Sequence, residues 1–119
     1  MPDPQANQDF VSAPRKSGDA VIAAIRGEID LHNSPELRTA LLAILTQTPT
    51  KKLILNLAQV PYMDSSAVAV LVEALQRLRK GGGRLMLTDL QPRVKGLLEI
   101  ARLDSIFVIA VSEQDALAK

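Results

Sequence analysis

The stretch LILNLAQVPYMDSSAVAVLVEALQRLRKGGG, Leu53 to Gly83, decides the fold. It begins with a nearly unbroken apolar run, Leu53–Leu57, which is typical of a strand covered on both faces of a sheet. Pro61 lacks an amide proton and disfavours helical backbone in the residue before it. We therefore expect a buried strand that has ended by Pro61.

The second half of the stretch has the period of an amphipathic helix. Apolar residues recur three or four positions apart, and charged residues lie on the opposite side. The apolar set is Val68, Leu71, Val72, Leu75 and Leu78, and the polar set is Glu73, Gln76, Arg77 and Lys80. Gly81-Gly82-Gly83 ends the pattern, because glycine is favoured where helices terminate. The stretch thus predicts a strand, a loop and a helix.

The junction of strand and helix, Met63-Asp64-Ser65-Ser66, carries two hydroxyls and a carboxylate. They lie where the first helical amides have no backbone partner. One interpretation is an N-cap, in which Asp64, Ser65 or Ser66 accepts a hydrogen bond from those amides. The other is a switch, since a phosphorylated serine there would meet free amides and the helix dipole. Capping serines are common, so the residues alone favour the N-cap.

The composition predicts one globular domain and excludes several classes of function. The chain has 119 residues, is 47% hydrophobic and carries a net charge of +1, which is too small to indicate nucleic-acid or anionic-membrane binding. It has no cysteine and three aromatic residues. His32 is the single histidine, so a metal site or a Ser-His relay has little material. We expect a flexible segment over residues 1–8 and a domain over 9–119.

No part of the sequence predicts export or membrane insertion. The start of the chain is polar, without the apolar core of a signal peptide. No apolar run approaches the ~20 residues that a membrane span needs. A cytoplasmic protein is therefore expected.

The remaining pattern predicts alternating strands and helices around the central stretch. The expected strands are Asp9–Ala13, Val21–Ile25, Leu85–Thr88 and Ile106–Val111, with Arg15–Asp19 as a turn. The first helix opens with Ser34 as cap ahead of Pro35, or with Asn33 as cap and Glu36 three residues on, and it ends at Pro49 and Thr50. The third helix starts near Pro92 with Val94, Leu97, Leu98 and Ala101 on one face, and a last one starts at Ser112 with Asp115 in a loose capping box.

This order, β-β-α-β-α-β-α-β-α, predicts the fold class. Alternating units after an initial hairpin imply parallel strands joined by helical crossovers. We expect an α/β protein with a mixed sheet of about five strands and about four helices. Glu28 and Asp30 could suggest acid–base carboxylates, but nothing places them beside a nucleophile, so turn and surface roles are expected.

Four pieces of the chain, in order and in register, resemble the STAS domain, in particular the bacterial anti-sigma factor antagonists (anti-anti-sigma factors). They span about Phe10 to Leu117. The pieces are Tyr62-Met63-Asp64-Ser65-Ser66-Ala67 after the strand, Gly27-Glu28-Ile29-Asp30 before the first helix, Lys80–Leu85 around the glycines, and Val94–Leu98 through Leu103-Asp104.

The resemblance implies a STAS fold and a bacterial phosphoprotein that regulates transcription by partner switching. The unphosphorylated domain would bind an anti-sigma factor, usually a histidine-kinase-like ATPase that acts as a serine kinase, and so release the sigma factor. The kinase would phosphorylate the first serine after the aspartate, here Ser65, with Ser66 as second choice, and a PP2C-type phosphatase would reset it. No catalysis, cofactor, metal, nucleic acid or direct membrane insertion is implied. The implied partner-binding residues are Asp30, His32, Asn33, Tyr62, Met63, Asp64, Ser65, Ser66 and Ala67.

One departure and two alternatives accompany this resemblance. The family usually has glycine where this chain has Ala67, and we expect the added methyl beside the approach of the kinase, where it would slow phosphorylation or mark a branch with altered regulation. STAS domains also serve as accessory subunits of membrane transport complexes, including lipid transporters, and in stressosome-type assemblies. A small α/β enzyme is the other alternative, although no histidine partner, metal set or phosphate loop supports it.

Overall fold

A computed structural model gives the fold, and the structure describes residues 10–119. The segment predicted to be flexible, residues 1–8, and Asp9 lie outside this range. The elements of the described part are β1 (Arg15–Ser17), β2 (Ala20–Arg26), α1 (Ser34–Gln47), β3 (Lys52–Gln59), α2 (Ser65–Lys80), β4 (Arg84–Thr88), α3 (Pro92–Ile100), β5 (Val108–Ala110) and α4 (Glu113–Ala118). The predicted α/β class and order of elements are confirmed.

The strands form one mixed sheet in the order β1-β2-β3-β4-β5. β1 pairs with β2 antiparallel, and every later neighbour is parallel. Leu53 of β3 is in register with Val21 of β2 and Leu85 of β4. Because β2 and β3 are parallel, the loops that follow them leave the same edge of the sheet, and these two loops contain the candidate site residues.

The two faces of the sheet are covered unequally. Alternate side chains of β2, β3 and β4 pack with α1, α2 and α3 in the larger core, which includes Leu55, Leu41 and Leu71. The intervening side chains form a smaller cluster in which Ile54 and Met86 lie with Ala116 of α4. A strand covered on both faces needs apolar residues at successive positions, which is why Leu53–Leu57 reads as an almost continuous apolar run.

The first strand was predicted at the wrong residues. In the described part of Asp9–Ala13, only Val11 forms a β-bridge, with Ile25. The strand is instead Arg15–Ser17, where a turn was expected. Gly18 adopts a left-handed φ of 62°, and this closes a two-residue turn in which Ser17 pairs with Ala20. Charged residues suit this position because β1 is an exposed edge strand.

The last strand is shorter than predicted at both ends. The amides of Ile106 and Phe107 donate to the carbonyl of Leu103 in a turn. At the other end, the Val111 amide donates to the Asp115 carboxylate at 3.2 Å. These local hydrogen bonds take both flanks of the predicted Ile106–Val111 out of the ladder, so β5 covers Val108–Ala110.

The helix ends follow the predictions in part. Asn33 occupies the N-cap position of α1 but makes no capping bond, and Ser34, the alternative cap, is buried inside the helix. α1 ends at Gln47, two residues before Pro49. α3 ends at Ile100, so Ala101 is exposed rather than on the buried face.

The glycine end of α2 forms as predicted, and the capping box of α4 forms in part, because the Asp115 carboxylate accepts from the Val111 amide and not from the Ser112 amide. The Gly83 amide donates to the Leu78 carbonyl at 2.7 Å, so the glycines satisfy the end of α2. Ser112 Oγ accepts a hydrogen bond from the Asp115 amide at 3.1 Å and caps α4. The end of α2 and the start of α4 are thus predictable from the local sequence, whereas the cap of α1 and the exact strand ends are not.

Candidate functional site

The loop after β2 and the loop after β3 are joined by main-chain hydrogen bonds. The Ile29 amide donates to the Tyr62 carbonyl at 3.1 Å, and the Asp64 amide donates to the Ile29 carbonyl at 3.0 Å. The side chains of Ile29 and Met63 are buried beneath this pairing. The predicted residues of the two loops therefore lie side by side at the carboxyl edge of the sheet.

Asp64 connects the two loops through both of its carboxylate oxygens. Oδ1 accepts hydrogen bonds from the amides of Ser66 and Ala67 at 2.9 and 3.3 Å, which caps α2. Oδ2 accepts a hydrogen bond from the Leu31 amide at 3.0 Å. Of the three caps that the sequence left open, Asp64 is the one that forms.

Hydrogen bonding to the ionised form holds the pKa of Asp64 below its ordinary value. The Ser66 hydroxyl is the largest cause, and the amides of Ala67, Ser66 and Leu31 add to it. Partial desolvation of the carboxylate opposes this shift. Asp64 is therefore a carboxylate near neutral pH, and it places a fixed negative charge beside Ser65.

The two serines of the junction differ in their surroundings. Ser65 is the first residue of α2 and is exposed, and its hydroxyl makes no hydrogen bond within the described residues. The Ser66 hydroxyl is half-buried and donates to Asp64 Oδ1 at 2.5 Å. Ser65 is therefore the hydroxyl that an approaching enzyme could reach without breaking an existing bond.

Two of the predicted binding residues are core residues. Met63 is 1% exposed and Ala67 is fully buried. The expectation that the Ala67 methyl lies beside the approach of a kinase is wrong, because this methyl packs in the larger core. The side chains of Met63 and Ala67 therefore pack inside the protein, and the remaining predicted binding residues are exposed or half-buried.

The turn residues of the first loop hold its backbone in place. Asp30 Oδ1 accepts from the amides of His32 and Asn33 at 2.9 and 3.3 Å. Asn33 Oδ1 accepts from the Asp30 amide at 2.8 Å, and its side-chain amide donates to the Glu28 carbonyl at 2.8 Å. Asp30 is thus a turn-forming residue, as expected. Asn33, one of the two expected caps of α1, also stabilises this turn, and the exposed His32 lies between them.

Sequence reasoning missed two residues that border the site. Leu31 is 75% exposed. The Arg93 guanidinium, at the start of α3, lies 4.9 Å from the centre of the Tyr62 ring, within the range of a cation–π contact. Leu31 could have been noticed as an apolar residue outside any helical period. Nothing in the sequence indicated that Arg93 would meet Tyr62.

Within residues 10–119, no group of three or more histidine, aspartate or glutamate side chains is arranged to hold a metal ion. No helix in the same range is long and apolar enough to cross a membrane.

Comparison with known proteins identifies relatives along most of the chain. The sequence profile of the STAS domain family matches residues 12–116. The anti-sigma-B factor antagonist of Bacillus subtilis is 33% identical over 90 residues, which are 76% of this chain and 81% of that protein. A segment of YvdB, a longer Bacillus subtilis protein named provisionally as a sulfate transporter, is 36% identical over 88 residues, which are 74% of this chain but 16% of YvdB.

Solved structures share the fold at low sequence identity. The anti-sigma factor antagonist SpoIIAA in its unphosphorylated form superposes with a TM-score of 0.73 at 23% identity, covering 88% of this chain and 91% of that one. The phosphorylated form of SpoIIAA from Bacillus gives a TM-score of 0.67 at 21% identity, with 89% and 96% covered.

Proposed function

The chain belongs to the STAS domain family, and on that premise we propose that it is an anti-sigma factor antagonist. In this proposal the unphosphorylated domain binds an anti-sigma factor and thereby frees a sigma factor to join RNA polymerase. The anti-sigma factor is a histidine-kinase-like ATPase that also phosphorylates Ser65, and a PP2C-type phosphatase removes the phosphate. The named relative, an anti-sigma-B factor antagonist, supports this assignment.

The observation that carries the proposal is the state of Ser65. Its hydroxyl is exposed at the first position of α2, while the neighbouring hydroxyl and the cap are already engaged with each other. A phosphate there adds about −1.5 to −2 charges to the surface. Asp64 already places one negative charge beside this position. An acidic partner surface would therefore repel the phosphate, and an apolar partner surface would strip it of water at a cost in free energy. A coupling free energy of about 1–3 kcal/mol between phosphorylation and binding would be enough to change the fraction of partner that is bound.

The proposed partner surface consists of the exposed and half-buried residues of the two loops. They are Asp30, His32, Asn33, Tyr62, Asp64, Ser65 and Ser66. Met63 and Ala67 contribute by fixing the position of this surface, because their side chains are buried. On this proposal the domain is a binding module that acts in the cytoplasm, where sigma factors are found, and it does not itself catalyse a reaction.

Reconstitution tests the proposal directly. The domain is mixed with each histidine-kinase-like anti-sigma factor encoded in the same genome, with that factor's sigma factor bound, and sigma release is followed by size-exclusion chromatography. We expect the wild type to displace sigma from one of them and Ser65→Asp to do so poorly. Ser66→Ala, which adds no charge, should displace sigma much better than Ser65→Asp. The proposal is rejected if the wild type displaces no sigma factor.

The similarity to YvdB supports a second candidate, a STAS accessory subunit of a membrane transport complex. The same loops would then contact a transporter component instead of an anti-sigma factor. Neighbouring genes separate the two candidates. A sigma factor beside a kinase-like ATPase favours transcriptional control, whereas permease and ATP-binding components favour transport.

A further inference from the structure

Leu31 is an exposed leucine in the middle of the candidate site. Its side chain is 75% exposed, and it lies between two exposed polar residues, Asp30 and His32. Exposed apolar side chains that stand singly are common on protein surfaces, so exposure alone assigns no role. The hydrogen bonding of its backbone to the candidate site distinguishes Leu31 from the other exposed large apolar residues.

The backbone of Leu31 is fixed from both loops. Its amide donates to Asp64 Oδ2 at 3.0 Å. On either side, the His32 amide donates to Asp30 Oδ1 at 2.9 Å, and the Asp30 amide donates to Asn33 Oδ1 at 2.8 Å. The leucine side chain is therefore presented from an ordered loop. An apolar group held in this way loses little conformational entropy when a partner covers it.

The same carboxylate that holds Leu31 also holds the start of α2. Asp64 Oδ1 caps the amides of Ser66 and Ala67, immediately after Ser65.

Three other large apolar side chains are exposed within residues 10–119, namely Ile100, Val111 and Leu117. None of the three is hydrogen-bonded to the candidate site, since Ile100 ends α3 and the Val111 amide bonds to Asp115.

We propose that Leu31 is the apolar anchor of the partner interface, and that Asp64 is a positioning residue that holds Leu31 and Ser65 in one surface. This inference rests on the proposed function and adds the chemistry of the contact. The anti-sigma partner has an apolar pocket that receives Leu31. A phosphate on Ser65 would have to lose water in the same contact. This desolvation cost would weaken binding of the partner when Ser65 is phosphorylated.

Affinity measurements test the anchor. The dissociation constant for the anti-sigma kinase is measured by calorimetry for the wild type, Leu31→Ser, Leu31→Met and Ile100→Ser. We expect Leu31→Ser to weaken binding at least tenfold and Leu31→Met to stay within about threefold, because methionine fills a similar volume. Ile100→Ser changes an even more exposed apolar residue, at the end of α3, and should bind as the wild type does.

The outcomes separate the anchor from the proposed function. Absence of binding by the wild type overturns the proposed function and the anchor with it. Tight binding by the wild type together with unchanged binding by Leu31→Ser overturns the anchor alone. An equal loss of affinity in Leu31→Ser and Ile100→Ser also overturns the anchor, since the loss would then follow from removing any exposed apolar side chain.

A double-mutant cycle tests the positioning role of Asp64. Asp64→Asn keeps one oxygen that can cap α2, because asparagine caps as well as aspartate, but its NH2 group replaces the second oxygen and cannot accept from the Leu31 amide. We expect faster hydrogen exchange at the Leu31 amide and weaker binding than wild type, with little further loss when Leu31→Ser is added. Fully additive losses, or unchanged exchange at Leu31, would show that Asp64 does not act through Leu31.

Discussion

Ser65 and Ser66 are adjacent hydroxyls with different chemical availability. Phosphorylation of Ser66 would require breaking its 2.5 Å bond to Asp64 and placing a dianion beside that carboxylate. Ser65 also lies beside the charge of Asp64, but it is exposed and its hydroxyl has no hydrogen bond to break within residues 10–119. In protein taken from its own cells, fragmentation mass spectrometry should therefore locate phosphate on Ser65, and Ser65→Ala should abolish it while Ser66→Ala should not. Phosphate found on Ser66 of the wild type would contradict this account.

Thr88 carries the buried side-chain polar atom that lacks a hydrogen-bond partner within residues 10–119. The residue is fully buried at the end of β4, so its hydroxyl has lost water without gaining a protein partner. Thr88→Val removes the hydroxyl at nearly constant volume and should raise the free energy of unfolding by about 1 kcal/mol. Urea denaturation measures this. Thr46→Val on the exposed face of α1 is the control and should change stability by less than about 0.5 kcal/mol. A destabilised Thr88→Val would mean that the hydroxyl has a partner after all.

At the scale of elements, the start of α2 makes stability depend on pH. The pKa of Asp64 is lower in the folded protein than its ordinary value, so the ionised cap stabilises the fold above the unfolded pKa of about 4. This contribution is lost as pH falls through the folded pKa. The stability difference between the wild type and Asp64→Ala should therefore be full at pH 7 and shrink between about pH 5 and pH 2. Urea midpoints across that range measure it, and a constant difference would rule out the charge of Asp64 as the cause.

The end of α2 depends on a close approach of main chain to main chain. A Cβ at Gly83 would lie 3.0 Å from the Lys51 carbonyl oxygen and 3.1 Å from its Cα, and these are backbone atoms that cannot turn aside. We expect Gly83→Ala to lower the free energy of unfolding by about 1–3 kcal/mol.

Gly96 is the matched control, since it lies inside α3, where an added Cβ would have no atom within 4 Å apart from its chain neighbours and the adjacent backbone of its own helix. Gly96→Ala should stabilise the protein by about 0.5–1 kcal/mol, because alanine is the better helix residue. Chemical denaturation of both variants checks the pair. The packing argument fails if Gly83→Ala is as stable as the wild type.

The elements that could be predicted from the sequence are those in which the pattern of apolar and polar residues shows which faces are buried. The nearly continuous apolar run of β3 follows from burial on two faces, and the helical period of α2 follows from burial on one face. Both patterns are recognisable in the sequence. β1 was misplaced because Arg15 and Lys16 pair through their backbones at an exposed edge, which leaves no apolar pattern. β5 was overextended because Phe107 and Val111 are apolar but bond locally outside the ladder.

At the scale of the whole molecule, the resemblance placed the candidate site at the start of α2. The sheet topology explains why the loop after β2 also belongs to this site. The loop that carries Asp30 adjoins Ser65 because β2 and β3 are parallel neighbours. Which side chains reach the surface depends on packing that a single sequence does not display. Ala67 is therefore a core residue where surface exposure was expected, and Leu31 is exposed where no role was predicted.

The central claim is that charge on Ser65 controls binding of the anti-sigma factor. It is tested most directly by titrating that partner, in a calorimeter, with the unphosphorylated domain and with the same domain fully phosphorylated on Ser65. We expect phosphorylation to raise the dissociation constant at least about tenfold, which is within the range of typical coupling energies. Equal dissociation constants for the two forms would contradict it.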